Sequence, residues 1–272
     1  VLVQPDVIDC VLCALCLSLR GVPLSKFWMW TGEGANGKSK LASLFRTIAG
    51  DYGFNLPVQV VTSKRWDTGK PVPEIARARN TRIATISEPC PNEMLNAGAI
   101  KEMTGGDSMF TRGLYDDGAE MTCTFCPILL CNDMPNCNDQ SEGMGRRQAV
   151  INFPVQFKQF PDLKKYPYEK KLDESIDKMI EENADLFLTW CLTNGYEYAK
   201  ETGVKYPKSV EESTNIYKKD CDWIAQFKDE FIVKSFLQTD KLRWNTVLNA
   251  STRYYKSHHT GTTAHPQQHR IT

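Results

Sequence analysis

Eight consecutive residues, Gly32-Glu33-Gly34-Ala35-Asn36-Gly37-Lys38-Ser39, fit the pattern G-x-x-x-x-G-K-[ST]. Each residue type in that pattern serves phosphate binding. The glycines let successive backbone N–H groups turn inward toward anionic oxygens. A helix opening behind them adds partial positive charge at its first turn. Lys38 is placed to reach the β- and γ-phosphates, and the Ser39 hydroxyl to ligate Mg2+. The flanking sequence supplies the context this chemistry needs. An apolar run, Phe27-Trp28-Met29-Trp30, comes just before the loop, and Leu41, Leu44, Phe45 and Ile48 follow it at the spacing of one helical face, ending at Gly50. Strand, phosphate loop and helix are therefore expected in that order, with ATP and Mg2+ as the ligands.

A phosphate loop alone does not define a reaction. Hydrolysis also requires a carboxylate near the γ-phosphate, a polar group to sense it and a positive charge to neutralise it. Glu88 closes the strand-like segment 82–88, where a catalytic carboxylate and Mg2+ ligand emerges from an α/β sheet. Asn132 closes the apolar segment 128–132 in the same way, and its amide suits the attacking water or the γ-phosphate. Arg146 and Arg147 stand just before a third strand-like segment, 148–153. A guanidinium keeps its charge and grips phosphate as a fork, so either arginine qualifies as an arginine finger.

Positioning these residues takes several elements. Buried strands alternate with helices through the first 157 residues, which predicts a mostly parallel sheet covered on both faces. Between Gly106 and Pro127 the pattern changes, because two strand-like runs, 108–115 and 120–125, flank Asp116-Asp117-Gly118 and predict a β-hairpin. After Pro161 the period becomes helical, and Ser209-x-x-Glu212 reads as a capping box opening another helix. The expected organisation is a helical segment over 1–24, a nucleotide-hydrolysing core over 25–157, a helical region over 158–240 and a basic tail over 241–272, frayed or truncated.

The composition is that of an ordinary globular protein. The chain has 272 residues, 41% of them hydrophobic and 24% charged, with 33 basic and 33 acidic side chains and no formal net charge. That balance excludes a histone-like basic protein but not a local nucleic-acid channel, since net charge averages over surfaces that face different things. The longest apolar stretch, residues 10–17, is too short to span a bilayer. No membrane partner is expected. Ten cysteines without secretory features read as reduced thiols in an intracellular setting. Cys10, Cys13 and Cys16 have metal-ligand spacing, as do Cys123 and Cys126, but their apolar neighbours favour thiols packed as small hydrophobes. All four histidines, His258, His259, His265 and His269, fall in the basic tail. The chain starts at Val1 rather than Met, which reads as a piece of something longer or a processed form.

The order of these motifs resembles a known family. Gly32-x4-Gly37-Lys38-Ser39, a strand ending in Glu88, Lys101-x-x-Thr104-Gly105-Gly106-Asp107, a hairpin, Asn132-Asp133-Met134-Pro135 and Arg146-Arg147 before Phe153 are similar to the superfamily 3 helicases of DNA viruses and plasmids. Within that superfamily the chain most resembles the primase–helicases of poxviruses and other large DNA viruses, with the related phage and plasmid primases. The resemblance covers roughly residues 5–157 and extends weakly through Pro207-x-Ser209-Val210.

It implies an α/β fold of the P-loop NTPase type. The core would be an AAA+-like parallel sheet with an inserted β-hairpin, followed by a helical C-terminal region. It also implies a ring, usually a hexamer, around DNA, with other replication proteins as partners and an infected cell's cytoplasm or nucleus as the setting. Lys38, Ser39, Glu88 and Asn132 would act from one subunit, and Lys101 with Arg146 or Arg147 from the next. Arg146 is favoured by its spacing to Phe153. On the hairpin, Arg112 would contact DNA and Tyr115 stack on a base. Two departures stand out: Ser87 takes the place of a second acid before Glu88, and Asp116-Asp117 occupy a hairpin tip where relatives carry Lys or His. Two other readings remain open. One is a P-loop phosphotransferase; the other is a nucleotide-binding fragment without helicase activity.

Overall fold

A computed structural model describes residues 1–62, 73–90, 93–111, 118–232 and 243–259, with residues 257–259 by backbone alone. Helix α1, Pro5–Leu19, leads into strand β1, Phe27–Thr31, and helix α2, Lys38–Ala49. Strand β2, Gly53–Leu56, short helices α3, Gln59–Thr62, and α4, Pro73–Arg77, and strand β3, Ile83–Ile86, come next. Helix α5, Ala97–Gly105, then precedes strands β4, Ser108–Thr111, β5, Ala119–Thr122, and β6, Cys126–Leu130. Helix α6, Glu142–Gly145, opens onto β7, Gln148–Asn152, and the small strands β8, Gln156–Lys158, and β9, Glu169–Lys171. The remainder is helical: α7, Ile176–Leu192, α8, Asn194–Thr202, α9, Lys208–Cys221, α10, Trp223–Phe231, and α11, Trp244–His259.

Five strands form one parallel sheet in the order β2-β3-β6-β1-β7. β1 lies inside it, with Trp28 opposite Ile128 on one side and Ala149 on the other. A strand buried on both faces has no polar side to alternate with, which explains the unbroken Phe27-Trp28-Met29-Trp30 run. Trp28 and Trp30 join a cluster with Leu15 of α1 and Phe45 of α2, while Phe27 and Met29 are equally buried on the alternate positions. Trp30 packs edge-on against Phe45 with ring centroids 5.6 Å apart, and its other neighbour, Phe153, lies at 5.3 Å. The residues expected to form a hairpin pair antiparallel as β4 and β5, from Ser108 opposite Thr122 to Thr111 opposite Ala119. This α/β architecture with a five-stranded parallel core is consistent with a P-loop-like fold.

Two compact units are present, residues 1–214 and 215–272. Helices α7 and α8 belong to the first, because Cys191 and Ala199 are buried in the same cluster as α1. The division between the units falls within α9. In the second unit, Phe227, Phe231 and Tyr254 form an aromatic cluster with centroid separations of 5.4 to 5.6 Å. Residues 244–259, expected as the start of a frayed tail, are helical and contribute Tyr254 to this cluster.

The expected capping box does not form. α9 begins at Lys208, and the Pro207 carbonyl accepts from the N–H groups of Val210 and Glu211 at 3.0 Å each. Ser209 is thus already inside the first turn, and its hydroxyl is buried without a partner.

Candidate active site

The loop after β1 is shaped by backbone conformations that side chains oppose. Gly32 has φ +145°, Ala35 +59° and Gly37 +84°. A Cβ on Gly32 would lie 2.5 Å from the Phe153 carbonyl oxygen and 2.7 Å from Asn36 Nδ2. Gly32 therefore cannot be replaced without moving the end of β7. Asn36 is buried, its Oδ1 accepts from the Lys38 N–H at 3.2 Å, and its Nδ2 has no partner. The Gly37 carbonyl starts α2 by accepting from Leu41 N–H at 2.9 Å. Glu33 points away and accepts from Gln156 Nε2, while Gly34 and Ala35 are exposed.

Lys38 is buried at the start of α2. Its ammonium donates to the Gly32 carbonyl and, at 3.0 Å, to Asn132 Oδ1. Burial pulls its pKa down, partly offset by the nearby Cys131 and Glu88. Glu88 and Asn132 stand two residues past the ends of β3 and β6, neighbouring strands of the sheet. Asn132 N–H donates to Glu88 Oε1 at 2.7 Å, and Asn132 Nδ2 donates to Oε2 at 3.1 Å. The three sequence-predicted residues Lys38, Glu88 and Asn132 thus form one connected group at the carboxyl ends of β1, β3 and β6. Ser39 follows Lys38 and is exposed.

Arg146, Arg147 and Lys101 are elsewhere. Arg147 precedes Gln148, which pairs with Phe27 at the start of β1, and its carbonyl accepts from Phe27 N–H at 2.7 Å. The two arginines therefore lie at the amino end of the sheet, about 15 Å of strand away from the phosphate loop. Their side chains differ. Arg147 is fixed, donating from Nε to Thr104 Oγ1 at 3.0 Å and from Nη1 to the Gly143 carbonyl at 2.6 Å. Arg146 is exposed, and its guanidinium has no partner among the described residues. Lys101 donates to Asp139 Oδ2 at 2.6 Å and to Ser141 Oγ at 2.9 Å. Hydrogen bonds to Asp139 from Lys101 and from Ser141 hold its carboxyl down to about 2. Arg112, Tyr115 and the Asp116-Asp117 tip lie outside the described residues.

One feature of the site was missed in the sequence. A cavity of about 280 Å³ is lined by Leu2, Val7, Asn152, Pro154, Ser209 and Val210 among others. Asn152 and Pro154 flank Phe153, whose carbonyl abuts Gly32, and Leu2 follows Val1, whose side chain would touch a Cβ on Gly37 at 2.8 Å. No residue of the phosphate loop lines the cavity, but chain neighbours of its walls, Phe153 and Val1, meet that loop. The cavity walls come from four separate segments, around residues 2–7, 150–154, 168 and 209–213, that no local pattern joins; the one sequence signal was the Pro207-x-Ser209-Val210 match.

Cys131 precedes Asn132 and lies near Lys38, whereas the cysteines with metal-ligand spacing sit apart from this site. Cys10, Cys13 and Cys16 are buried on α1, and burial pushes the thiols of Cys10, Cys123 and Cys126 up to about 12. Among the described residues no group of three or more His, Cys, Asp or Glu side chains could hold a metal ion, and no helix is long and apolar enough to cross a membrane.

No family model matches the chain. It is 29% identical over 269 residues to a protein of Acanthamoeba polyphaga mimivirus named "putative helicase", covering 95% of this chain and 28% of that one. The "putative helicase 022R" of Frog virus 3 is 31% identical over 226 residues, covering 79% of this chain and 23% of the relative. A "putative primase" of African swine fever virus is 26% identical over 248 residues, covering 88% of this chain and 26% of the relative. The chain thus spans about a quarter of the length of these relatives. Among solved structures, the apo C-terminal region of NrS-1 superposes with a TM-score of 0.53 at 13% identity, covering 92% of this chain and 60% of that one, a likeness of fold. Over most of its length, the chain is homologous to proteins named as helicases and primases in large DNA viruses.

Proposed function

We propose that the chain is the ATP-hydrolysing motor portion of a viral replicative helicase of the superfamily 3 type, acting on DNA as a ring of identical subunits. The observation that carries this reading is the Lys38–Asn132–Glu88 group. It joins an ammonium, an amide and a carboxylate at the carboxyl ends of β1, β6 and β3, the edge where α/β sheets bind ligands. The five-stranded parallel sheet, order β2-β3-β6-β1-β7, supports the same reading.

The residues fit ATP with Mg2+. Gly32 and Gly37 keep the loop open where any Cβ would close it, Asn36 Nδ2 is an unused buried donor, and the Lys38 ammonium faces only neutral oxygens apart from the more distant Glu88. Ser39 and Glu88 would hold Mg2+, which when bound supplies charge neutralisation at the β- and γ-phosphates. Lys38 would exchange the Asn132 oxygen for phosphate. That exchange frees the Asn132 amide, which now clasps Glu88, to orient water while Glu88 takes its proton. The cavity bounded by Leu2, Pro154 and Val210 takes the base, with Ser209 and Asn152 offering polar atoms to its edge.

Arg146 is the finger. It is an exposed, unpartnered guanidinium at the far end of the sheet from its own loop, so the loop it serves is a neighbour's. Arg147, held by Thr104 and Gly143, positions α6 and so presents Arg146. Lys101 supports the same surface from Asp139 and Ser141. DNA contact by Arg112 and Tyr115 on the hairpin belongs to this reading too. The test is ATP hydrolysis by the chain with and without single-stranded DNA. Stimulation by DNA supports a motor; hydrolysis that depends on a small acceptor and ignores DNA would indicate a phosphotransferase instead.

A further inference from the structure

The segment between β8 and β9 carries charge that the site described above does not use. β8 and β9 pair in parallel, Gln156 opposite Glu169 and Lys158 opposite Lys171, and the chain between them forms a flap over residues 159–168. Of its two nearby carboxylates, Glu169 at the start of β9 is buried, while Asp162 is exposed and engaged by backbone N–H groups. Glu169 is 3% exposed and accepts from Lys158 Nζ and from Asp162 N–H at 2.8 Å. Asp162 Oδ1 accepts from the N–H groups of Lys164 and Lys165 at 3.2 and 3.3 Å.

Apart from Asp162, what remains outside is basic and aromatic. Lys164, Lys165, Lys170 and Lys171 are all exposed, and Lys164, Lys170 and Lys171 make no ion pair or hydrogen bond through their ammonium groups among the described residues. Phe160 is 86% exposed and Tyr166 47%. Lys165 lies 5.1 Å from the Tyr166 ring centroid, opposite Lys158 at 5.2 Å. Cations spaced along a ridge with flat rings between them are the elements that hold single-stranded nucleic acid without sequence preference, through phosphate contacts and base stacking. A protein partner would need an acidic surface and gains little from rings this exposed.

We propose that this flap is a second nucleic-acid contact, binding single-stranded DNA through Lys164, Lys165, Lys170 and Lys171 with Phe160 stacking on a base. It rests on the reading of the chain as a DNA motor but is separate from the hairpin. β8, which leads into the flap, is tied to the phosphate loop: Phe157 N–H donates to the Ala35 carbonyl at 2.8 Å, two residues before Gly37. β8 therefore joins the flap to that loop.

The experiment is fluorescence anisotropy of a labelled oligothymidylate with the 272-residue chain, without nucleotide, over a range of salt concentrations. Replacing all four lysines (Lys164→Ala, Lys165→Ala, Lys170→Ala, Lys171→Ala) should weaken binding about tenfold or more and flatten the logarithmic salt slope by about 2 to 3. Replacing the same four by arginine should preserve both. Phe160→Ala, which removes an exposed ring and leaves the fold intact, should cost about fivefold or more. Unchanged affinity and slope in the alanine variant would overturn the proposal. So would weakened binding accompanied by dissociation of a self-assembled species in light scattering, which would make the flap a contact between copies. The Lys38→Ala chain separates this inference from the motor reading, because it should lose hydrolysis and keep oligonucleotide affinity.

Discussion

Asn132 holds both oxygens of the Glu88 carboxylate, Oε1 from its backbone N–H at 2.7 Å and Oε2 from its side-chain Nδ2 at 3.1 Å. Each oxygen of the carboxylate is thereby engaged by the same residue. The same asparagine turns its Oδ1 to Lys38. One amide therefore sets the position of both groups that would handle the γ-phosphate, and it cannot serve nucleotide and Glu88 in the same geometry.

Asn132→Ala removes the amide clasp and the Lys38 acceptor while leaving the backbone bond to Glu88. Nucleotide should still bind, and turnover should fall by about 10²-fold, the usual cost of one positioned polar group at a reacting phosphate or oxyanion. Binding by fluorescent nucleotide and steady-state hydrolysis separate the two. Loss of binding with it would make Asn132 a structural pin for the loop.

Lys38→Ala leaves the Gly32 carbonyl and Asn132 Oδ1 without their donor and removes the cation from the loop. Both nucleotide affinity and hydrolysis should drop below detection in calorimetry and phosphate-release assays. Full activity would sink the assignment of the loop.

Glu88→Gln preserves the shape of the side chain, and its amide can still accept one hydrogen bond from Asn132. ATP should bind with near-normal affinity, and single-turnover hydrolysis should be lost, since an amide cannot take the proton. If affinity falls as steeply as rate, Glu88 serves Mg2+ or the fold rather than the proton.

The Lys101–Asp139 pair gives a stability prediction. Lys101 and Ser141 hold the Asp139 carboxyl at about 2, below its ordinary 3.8. A pKa depressed in the folded state stabilises the fold above the ordinary value, and that contribution disappears as pH falls through the folded one. Asp139→Asn should therefore melt at a lower temperature than the parent at pH 6, with the gap narrowing between about pH 4 and pH 2. A gap independent of pH would show that the charge is not what Asp139 contributes.

How much of this was legible in the sequence depends on locality. The phosphate loop was readable because its eight residues are contiguous, although the groups that keep Gly32 and Gly37 free of a Cβ, Phe153 and Val1, come from elsewhere in the chain. Glu88 and Asn132 were readable as strand ends, although the ladders stop at Ile86 and Leu130. Hydrogen-bonded pairing ends at the edge of the sheet while the chain continues toward the site, so periodicity overruns the strand by two residues. The cavity was not readable, because Leu2, Pro154 and Val210 meet only after folding. Ser209-x-x-Glu212 misled for a related reason. Pro207 supplies its carbonyl to Val210 and Glu211, so the helix starts earlier and the serine is carried inward. Spacing to Phe153 favoured Arg146 over Arg147, and the structure separates the two through Arg147's partners, Thr104 and Gly143.

The central claim, that hydrolysis is shared between copies of the chain, is tested most directly by mixing two inactive proteins. Arg146→Ala keeps Lys38 and loses the finger; Lys38→Ala keeps the finger and loses the loop. An arginine finger is worth about 10³ to 10⁵ in rate, so each protein alone should be nearly silent. Mixed under conditions where light scattering shows that they assemble together, they should recover a fraction of the parent's ATPase rate, from interfaces that pair an intact loop with an intact arginine. No recovery in verified mixed assemblies would contradict the account and confine Arg146 to a role within its own subunit.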